Sequence, residues 1–445
     1  MKRLLPLVLL AALLATPATA AVRRWTDKTG RFSVEAELID HGMKEISLKK
    51  ANGKTVRVPI SELSRQDQLY LKNLRATVAR KMQRQARVKG APFTTVEEAL
   101  THPTKLALDN APLGEMLAQI ERHHEIDVFL DRTALAAVGF SDAVRISANH
   151  ADTPLAAALD ATLGPAGLTW LVRNGVLLIT TPEAESRSLQ TRVYALVGAA
   201  RPDVVLQQLS QRVAASSWAQ VGGPGCGVAL SSGALLISQS YRVHRQIEKD
   251  FAQQLRPVVG GPKDKAPRGG PRETPTTRAL REPAVAEFAQ VPLSDVIGFL
   301  ASQHHLDIKL DPDGAKDVGA GASAKFSANM RHVPVADLLD LMLPQHDLTW
   351  IVEGNGVLIT SPQQAAAKMT TVDYPVGDLR LRGNLGELAA AVTQTVYPTS
   401  WDQVGGRGTI RPAANGQALS ITQTYAVHRR IEQLLRDLRA LQALR

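Results

Sequence analysis

Cysteine is nearly absent: Cys226 is the only one in 445 residues. A single thiol excludes an intrachain disulfide, so stability must come from packing. The second copy of the repeat described below has no matching cysteine, which makes the position incidental rather than redox-active. Aromatic residues are also scarce, at 4% of the chain, and four of the five tryptophans fall at repeat-related positions. Long apolar runs are missing too. The longest, Leu4 to Leu14, falls well short of the ~20 residues a membrane-crossing helix needs.

That run follows Lys2 and Arg3 and precedes Ala18, Thr19 and Ala20, the order of a secretory signal peptide. Cleavage is expected after Ala20, leaving 425 of the 445 residues for export to the periplasm or cell envelope. No transmembrane segment is expected in the mature chain, and no cysteine marks a lipid-anchor site. The net charge of +10 falls to +8 without Lys2 and Arg3. Residues 72 to 89 hold Lys72, Arg75, Arg80, Lys81, Arg84, Arg87 and Lys89 with no acid. Such a stretch suits anionic envelope polymers or lipid head groups, or it is a solvated helical connector. Export argues against nucleic acid.

In residues 21 to 75, apolar residues alternate at Phe32, Val34, Ala36 and Leu38, at Ile46 and Leu48, and at Val56, Val58 and Ile60. Period two predicts half-buried strands. Asn52-Gly53 supplies a tight turn, and Ser64 with Asp67 opens a short helix. The pattern Trp25-Thr26-Asp27-Lys28-Thr29-Gly30-Arg31-Phe32, with Ile46-Ser47-Leu48 and Val58-Pro59-Ile60-Ser61-Glu62-Leu63-Ser64, resembles the SLA-type homology domain one. The resemblance implies an SH3-like small barrel that binds short peptide motifs. At family level it also implies links to cytoskeletal proteins, ubiquitin and self-association. Trp25 is read either as a ligand platform or as core.

Self-similarity organises the rest. A shift of 180 residues lays Pro112 to Val172 on Pro292 to Val352 without a gap. Smaller offsets pair Ser217-Trp218-Ala219-Gln220-Val221-Gly222-Gly223 with Ser400-Trp401-Asp402-Gln403-Val404-Gly405-Gly406, and Tyr241, His244 and Glu248 with Tyr425, His428 and Glu432. The expected domains are a signal peptide (1–20), the small barrel (21–75), a basic helical connector (76–103), repeat 1 (104–255), a mobile Pro/Gly-rich linker (256–283) and repeat 2 (284–445). Helical spacing at Leu113, Met116, Leu117 and Ile120 and at Leu155, Leu159 and Leu163 alternates with strand-like runs such as Val176 to Ile179. The second half reads as a strand at Arg192–Leu196, a helix at Val204–Val213, strands at Gly227–Leu230 and Leu235–Ser238, and a helix at Val243–Leu255. The fold class is therefore α+β multidomain: an SH3-like barrel, then two tandem repeats. Each repeat has two βαββα-type layers, with each sheet covered on one face by helices.

Pro-Leu ahead of a helix, Ile126-Asp127-Val128-Phe129-Leu130-Asp131, Leu168-Thr169-Trp170 and Gly175-Val176-Leu177-Leu178-Ile179-Thr180 resemble the secretin and TonB N-terminal short domain. Ala234 to Gln239 with His244 and Ile247 is similar to the next periplasmic domain of secretins. The resemblance implies non-catalytic domains that form rings or dock secretion and signalling proteins. No segment suited to a membrane barrel follows, so a complete secretin is not expected.

Residues able to carry chemistry read as structure. His123, His124, Glu125 and Asp127 suggest metal ligands, but adjacent histidines lack the i, i+4 spacing of a zinc helix. His244 and His428 have no nucleophile motif beside them. Gly222-Gly223 and Gly405-Gly406 precede no Gly-Lys-Ser/Thr and read as turns. Trp170 and Trp350 sit in apolar strands as core. Trp218 and Trp401, beside those glycines, are either exposed interface anchors or seals over the sheet-helix core. The candidate protein-binding residues are Trp25, Trp218, Gly222, Gly223, Trp401, Gly405 and Gly406. No cofactor, metal or catalytic residue is expected, and partners are proteins or peptides, with a homo-oligomer included. The function expected is an exported scaffold or adaptor. A periplasmic accessory of a secretion or pilus-type machine is the alternative, with an envelope hydrolase third.

Overall fold

The computed structural model describes residues 23–41, 45–50, 52–71, 95–141, 144–198, 201–259, 273–379, 385–413 and 416–443. The expected signal peptide, the basic run 72–89 and the centre of the Pro/Gly-rich segment lie outside these residues. The chain divides into two compact units, Met1–Met82 and Gln83–Arg445.

In the first unit β1 (Arg23–Thr26), β2 (Ser33–His41), β3 (Glu45–Lys50) and β4 (Thr55–Pro59) form an antiparallel meander in that order. An isolated bridge, Asp27 to Leu63, ties its two ends, and helix α1 covers residues 65–71. Asp67 explains this closure. It accepts from Ser64 Oγ (2.9 Å) and from the Thr26 backbone N–H (2.8 Å), and it pairs with Arg23 at 2.6 Å. The alternation predicted for β2 holds at Ala36 but fails at Phe32. That residue precedes the strand and is 75% exposed.

The second unit begins with α2 (Val96–Thr101), inside the segment expected to be connector. Repeat 1 then runs β5 (Pro103–Pro112), α3 (Leu113–His124), β6 (Val128–Leu130), α4 (Arg132–Ala137), β7 (Arg145–Pro154), α5 (Leu155–Leu163), β8 (Thr169–Arg173), β9 (Val176–Thr180) and α6 (Pro182–Arg187). This half carries two sheets rather than the one expected. They are a bulged β5–β7 ribbon and a mixed sheet in the order β6-β9-β8. The second half follows the expected βαββα order: β10 (Leu189–Leu196), α7 (Pro202–Arg212), β11 (Cys226–Leu230), β12 (Ala234–Ser240) and α8 (Tyr241–Asp250). The helix stops at Asp250, short of the expected Leu255. Leu255, the last residue of the expected repeat 1, and the first three residues assigned to the linker form β13 (Leu255–Val258), which closes a sheet ordered β11-β12-β10-β13.

Repeat 2 opens with α9 (Pro275–Ala279), also inside the expected linker. Its first half is β14 (Pro283–Pro292), α10 (Leu293–His304), β15 (Ile308–Leu310), α11 (Pro312–Asp317), β16 (Lys325–Pro334), α12 (Val335–Met342), β17 (Thr349–Glu353), β18 (Gly356–Thr360) and α13 (Pro362–Ala367). The second half is β19 (Met369–Pro375), α14 (Leu385–Thr395), β20 (Thr409–Pro412), β21 (Ala418–Thr424) and α15 (Tyr425–Ala443).

The repeats do not stand apart as two modules on a mobile linker; they share a core. In β10–β13, one set of alternate residues (Tyr194, Leu235, Ile237) faces α7 and α8. The other set (Val193, Leu230, Ala234, Leu236, Val258) packs with Leu388, Ala391, Leu434, Leu435, Leu438 and Leu441 of α14 and α15. Both faces of this sheet are covered, so all seven residues of β12 are buried. Each fully buried Val or Leu contributes about 1.5–3 kcal/mol.

The counterpart sheet in repeat 2 has lost that second apolar face. By strand register Val193, Leu236 and Val228 correspond to Asp373, Ser420 and Arg411, and β21 alternates between buried and part-exposed from Leu419 onward. The helices diverged in the complementary sense. Gln208 and Arg212 of α7 become Ala391 and Thr395 of α14, both buried, and α15 extends where α8 stopped. The first halves follow the same rule: β6 is buried at all three positions, and its Phe129 corresponds to the exposed Lys309. There β16 runs beside β6, Asn329 Nδ2 donates to Glu121 (2.8 Å), and the Arg331 N–H donates to Asp127 (2.9 Å).

Candidate functional site

The glycine-rich turns are the only predicted site features that occur twice, so they can be tested against each other. Ser217 to Gly225 folds back on itself. The Ala219 N–H donates to Gly225 O (2.6 Å), the Gly225 N–H to Ser217 O (2.8 Å) and the Gly223 N–H to Trp218 O (2.9 Å). Gln239 from β12 adds a bond from Nε2 to Ser217 Oγ at 3.0 Å. Repeat 2 reproduces every bond, with Asp402, Gly406 and Gly408 in the turn and Gln423 reaching Ser400 Oγ at 2.8 Å. Gly222 and Gly405 sit at φ +87° and +89°, where a side chain is strained. A Cβ on Gly223 or Gly406 would collide with the carbonyl carbon of Ser217 or Ser400. These glycines serve close backbone packing and present no open cradle.

Trp218 and Trp401 are each 1% exposed, and their indole N–H groups donate to Val213 O (2.7 Å) and Val396 O (2.8 Å). The exposed-anchor reading is therefore corrected. An apolar ring beside a turn made of glycine has only the core to cover, and both its face and its polar edge are satisfied there. Trp25 is likewise 1% exposed and donates to Ala36 O at 3.1 Å. Arg23 lies over it at 4.4 Å and over Tyr70 at 3.9 Å. The platform reading of Trp25 falls for the same reason. What the turns do present is Val221 and Val404, 67% and 66% exposed at equivalent tips.

Trp170 and Trp350 belong to a clamp that sequence comparison had aligned without revealing. Trp170 Nε1 donates to Asp160 at 2.8 Å, and Arg245 of α8 lies 4.2 Å above the indole ring. In repeat 2, Trp350 donates to Asp340 at 2.8 Å, while Arg429 of α15 bonds both Asp340 oxygens at 2.9 and 2.8 Å. Each clamp joins the two halves of one repeat. Burial raises neighbouring Asp337 to about 6, against the pull of Arg429.

The histidines are equally committed. His244 is fully buried between Gln190 O (2.8 Å) and Tyr194 OH (2.8 Å). A carbonyl can only accept, so Nε2 carries the proton and Nδ1 accepts from the phenol. Burial lowers its pKa to about 3. His428 repeats this with Thr370 O (3.0 Å) and Tyr374 OH (2.9 Å). His124 is buried and lowered to about 4. Among the described residues no group of three or more His, Cys, Asp or Glu is placed to hold a metal ion. Burial pushes the Cys226 thiol up to about 11, and its sulfur meets Gln394 O of repeat 2 at 2.8 Å.

The residue that sequence reasoning missed is Phe32. Its backbone N–H donates to Asp27 Oδ1 (3.0 Å) and its carbonyl accepts from the Asp27 N–H (2.9 Å), while Thr29 Oγ1 donates to Asp27 at 2.6 Å. The turn Asp27–Phe32 is thus fixed by its own bonds and holds an aromatic ring in solvent. The signal was Asp27-x-Thr29-Gly30, a turn motif that ends the alternation one residue early.

Residues 14–78 match the model of SLA1 homology domain 1, SHD1. This is the segment to which Phe32 and the Trp25 core belong. Curated relatives include the actin cytoskeleton-regulatory complex protein sla1 of Schizosaccharomyces pombe, 40% identical over 55 residues, covering 12% of this chain and 4% of that protein. SLA1 of Mycosarcoma maydis is 38% identical over 58 residues, covering 13% and 5%. The shared segment is thus a small part of either relative. Among solved structures, the N-terminal domain of the secretin XcpQ from Pseudomonas aeruginosa is 12% identical, covering 76% of this chain and 99% of its own, with a TM-score of 0.14. The GspC–GspD complex of enterotoxigenic Escherichia coli is 16% identical over 34% of this chain and 96% of its own, also at 0.14. At that score the architecture of the repeats rests on their internal comparison. No described helix is long and apolar enough to cross a membrane.

Proposed function

We propose that this chain is an exported, non-enzymatic protein-binding scaffold whose N-terminal unit captures a protein partner through the face that carries Phe32. The observation that carries the reading is the SHD1 match over residues 14–78, on a unit that keeps Trp25 as core and holds Phe32 75% exposed on a self-bonded turn. A rigid exposed aromatic loses little entropy on binding and is a typical interface anchor. The repeat pair serves as a single stiff body that carries this unit. Anionic polymers or lipid head groups are a separate class of partner for the basic run 72–89, to be tested by co-sedimentation with anionic vesicles.

The ring-forming alternative draws support from the way one repeat packs its helices on the sheet of the other, since the same contact repeated between chains would build an assembly. The outer faces speak against it. A continuing array would need an apolar open sheet in repeat 2, where Asp373, Ser420 and Arg411 stand, and small residues on α7, where Gln208 and Arg212 stand. Polar outer faces are how a repeat array ends.

The test is capture from envelope extract by the full mature chain, followed by quantitative binding of the recovered partner. Phe32→Ser is expected to weaken binding by about 2 kcal/mol or more with no change in melting temperature. Unchanged affinity would remove the Phe32 face from the proposal. A sedimentation mass well above that of a dimer would return the ring reading.

A further inference from the structure

Comparing the repeats position by position exposes one cavity present in repeat 2 and filled in repeat 1. In repeat 1 the segment after α4 brings Phe140 back against the loop that follows α5. Its ring tip lies 3.7 Å from where a Cβ on Gly167 would stand, and its N–H bonds Leu135 O. The gap-free offset of 180 puts Ala320 at the position of Phe140 and Asp347 at that of Gly167. The backbone is retained, because the Ala320 N–H bonds Ala315 O in the same way. With the ring gone, a pocket of about 340 Å³ opens, lined by Gly319, Ala320, Gly321, Gln345, His346 and Asp347 among others.

Its walls are held in place. His346 Nε2 donates to Lys325 O at 2.9 Å, and the imidazole packs edge-on against Phe326 at 4.6 Å. Asp347 brings a carboxylate where repeat 1 has only hydrogen.

We propose that this pocket binds a tyrosine side chain presented by a peptide or protein partner. The shape is that of the aromatic ring repeat 1 supplies for itself, and the Asp347 carboxylate is a group a phenol answers. Its hydroxyl donates to the Asp347 carboxylate. Phenylalanine would leave that carboxylate unanswered. The site lies in the second unit and does not depend on capture by Phe32.

The test uses the full chain with N-acetyl-3-fluorotyrosinamide as probe, followed by fluorine NMR, and N-acetyl-4-fluorophenylalaninamide as comparator. Saturable binding in the millimolar range, with a preference of about tenfold for the phenol, is expected. The double variant Ala320→Phe, Asp347→Gly rebuilds the filling of repeat 1 and should abolish binding. Asp347→Gly alone relieves a left-handed backbone (φ +54°), so it should fold, retain ring binding and lose the preference. Equal binding by wild type and the double variant, equal affinity for the two probes, or no saturation would each overturn the proposal. If the double variant does not fold, the preference lost or kept by Asp347→Gly decides.

Discussion

Leu236 and Ser420 occupy the same place in the two repeats, and exchanging their characters should have opposite consequences. Leu236 is fully buried between β10–β13 and the helices α14 and α15, whereas Ser420 lies on the open face of its sheet. Leu236→Ser removes a core side chain, which costs about 2–5 kcal/mol with its cavity. It also buries a hydroxyl with no assured partner, for roughly 1 kcal/mol more. Ser420→Leu adds an apolar group where water already reaches, so its effect should stay within about 0.5 kcal/mol. For a cooperative unit spanning Gln83–Arg445, at about 2.1 cal/mol/K per residue, the first change lowers the melting point by roughly 4–8 °C and the second hardly moves it. Scanning calorimetry on both variants in the full chain reads this directly. Equal shifts would refute the reasoning, because they would mean that both sheets have one covered face.

Other consequences are independent of that pair. Trp401→Ala should cost about 3–5 kcal/mol, and a variant that melts normally while losing partner affinity would restore Trp401 as an anchor. Burial between the repeats, opposed by Arg331 and reinforced by Asp127, raises Glu121 to about 7 from an ordinary 4.5. The folded chain therefore holds this proton more tightly than the unfolded chain, and the stability so gained is complete below pH 4.5 and lost as pH rises through 7. Glu121→Gln should accordingly raise the melting temperature at pH 8 and leave it unchanged near pH 4; a pH-independent difference would contradict this. With its pKa near 11 rather than 9.0, Cys226 should react with iodoacetamide at pH 8 roughly a hundredfold slower than the unfolded chain, and equal rates would show the thiol to be open.

The duplication, the helices α3 and α5, the strands β6, β8 and β9, and the βαββα order of the second halves were all legible, since the helices bury one stripe at helical spacing and the strands are short apolar runs. The β5–β7 ribbon was not, because its strands are interrupted by bulges at Asn110 and Asp152, both at positive φ. The shared core was also hidden. Val228, Leu236 and Phe129 read as ordinary strand apolars, and only the polar residues at the matching positions of repeat 2 (Arg411, Ser420 and Lys309) disclose that a second face is covered. Trp218 and Trp401 were ambiguous because glycine beside an aromatic ring describes equally an exposed platform and a tightly packed turn. Bonds from Gln239 and Gln423 across the fold decide between the two, and no local pattern contains them.

The central claim is that repeat 2 covers the second face of repeat 1's sheets, so that the two form a single body. Insertion of a protease site between residues 260 and 272, followed by cleavage and gel filtration at nanomolar concentration, tests it most directly. The fragments should co-elute one to one and melt together in a single transition; fragments that separate as folded monomers would contradict the account.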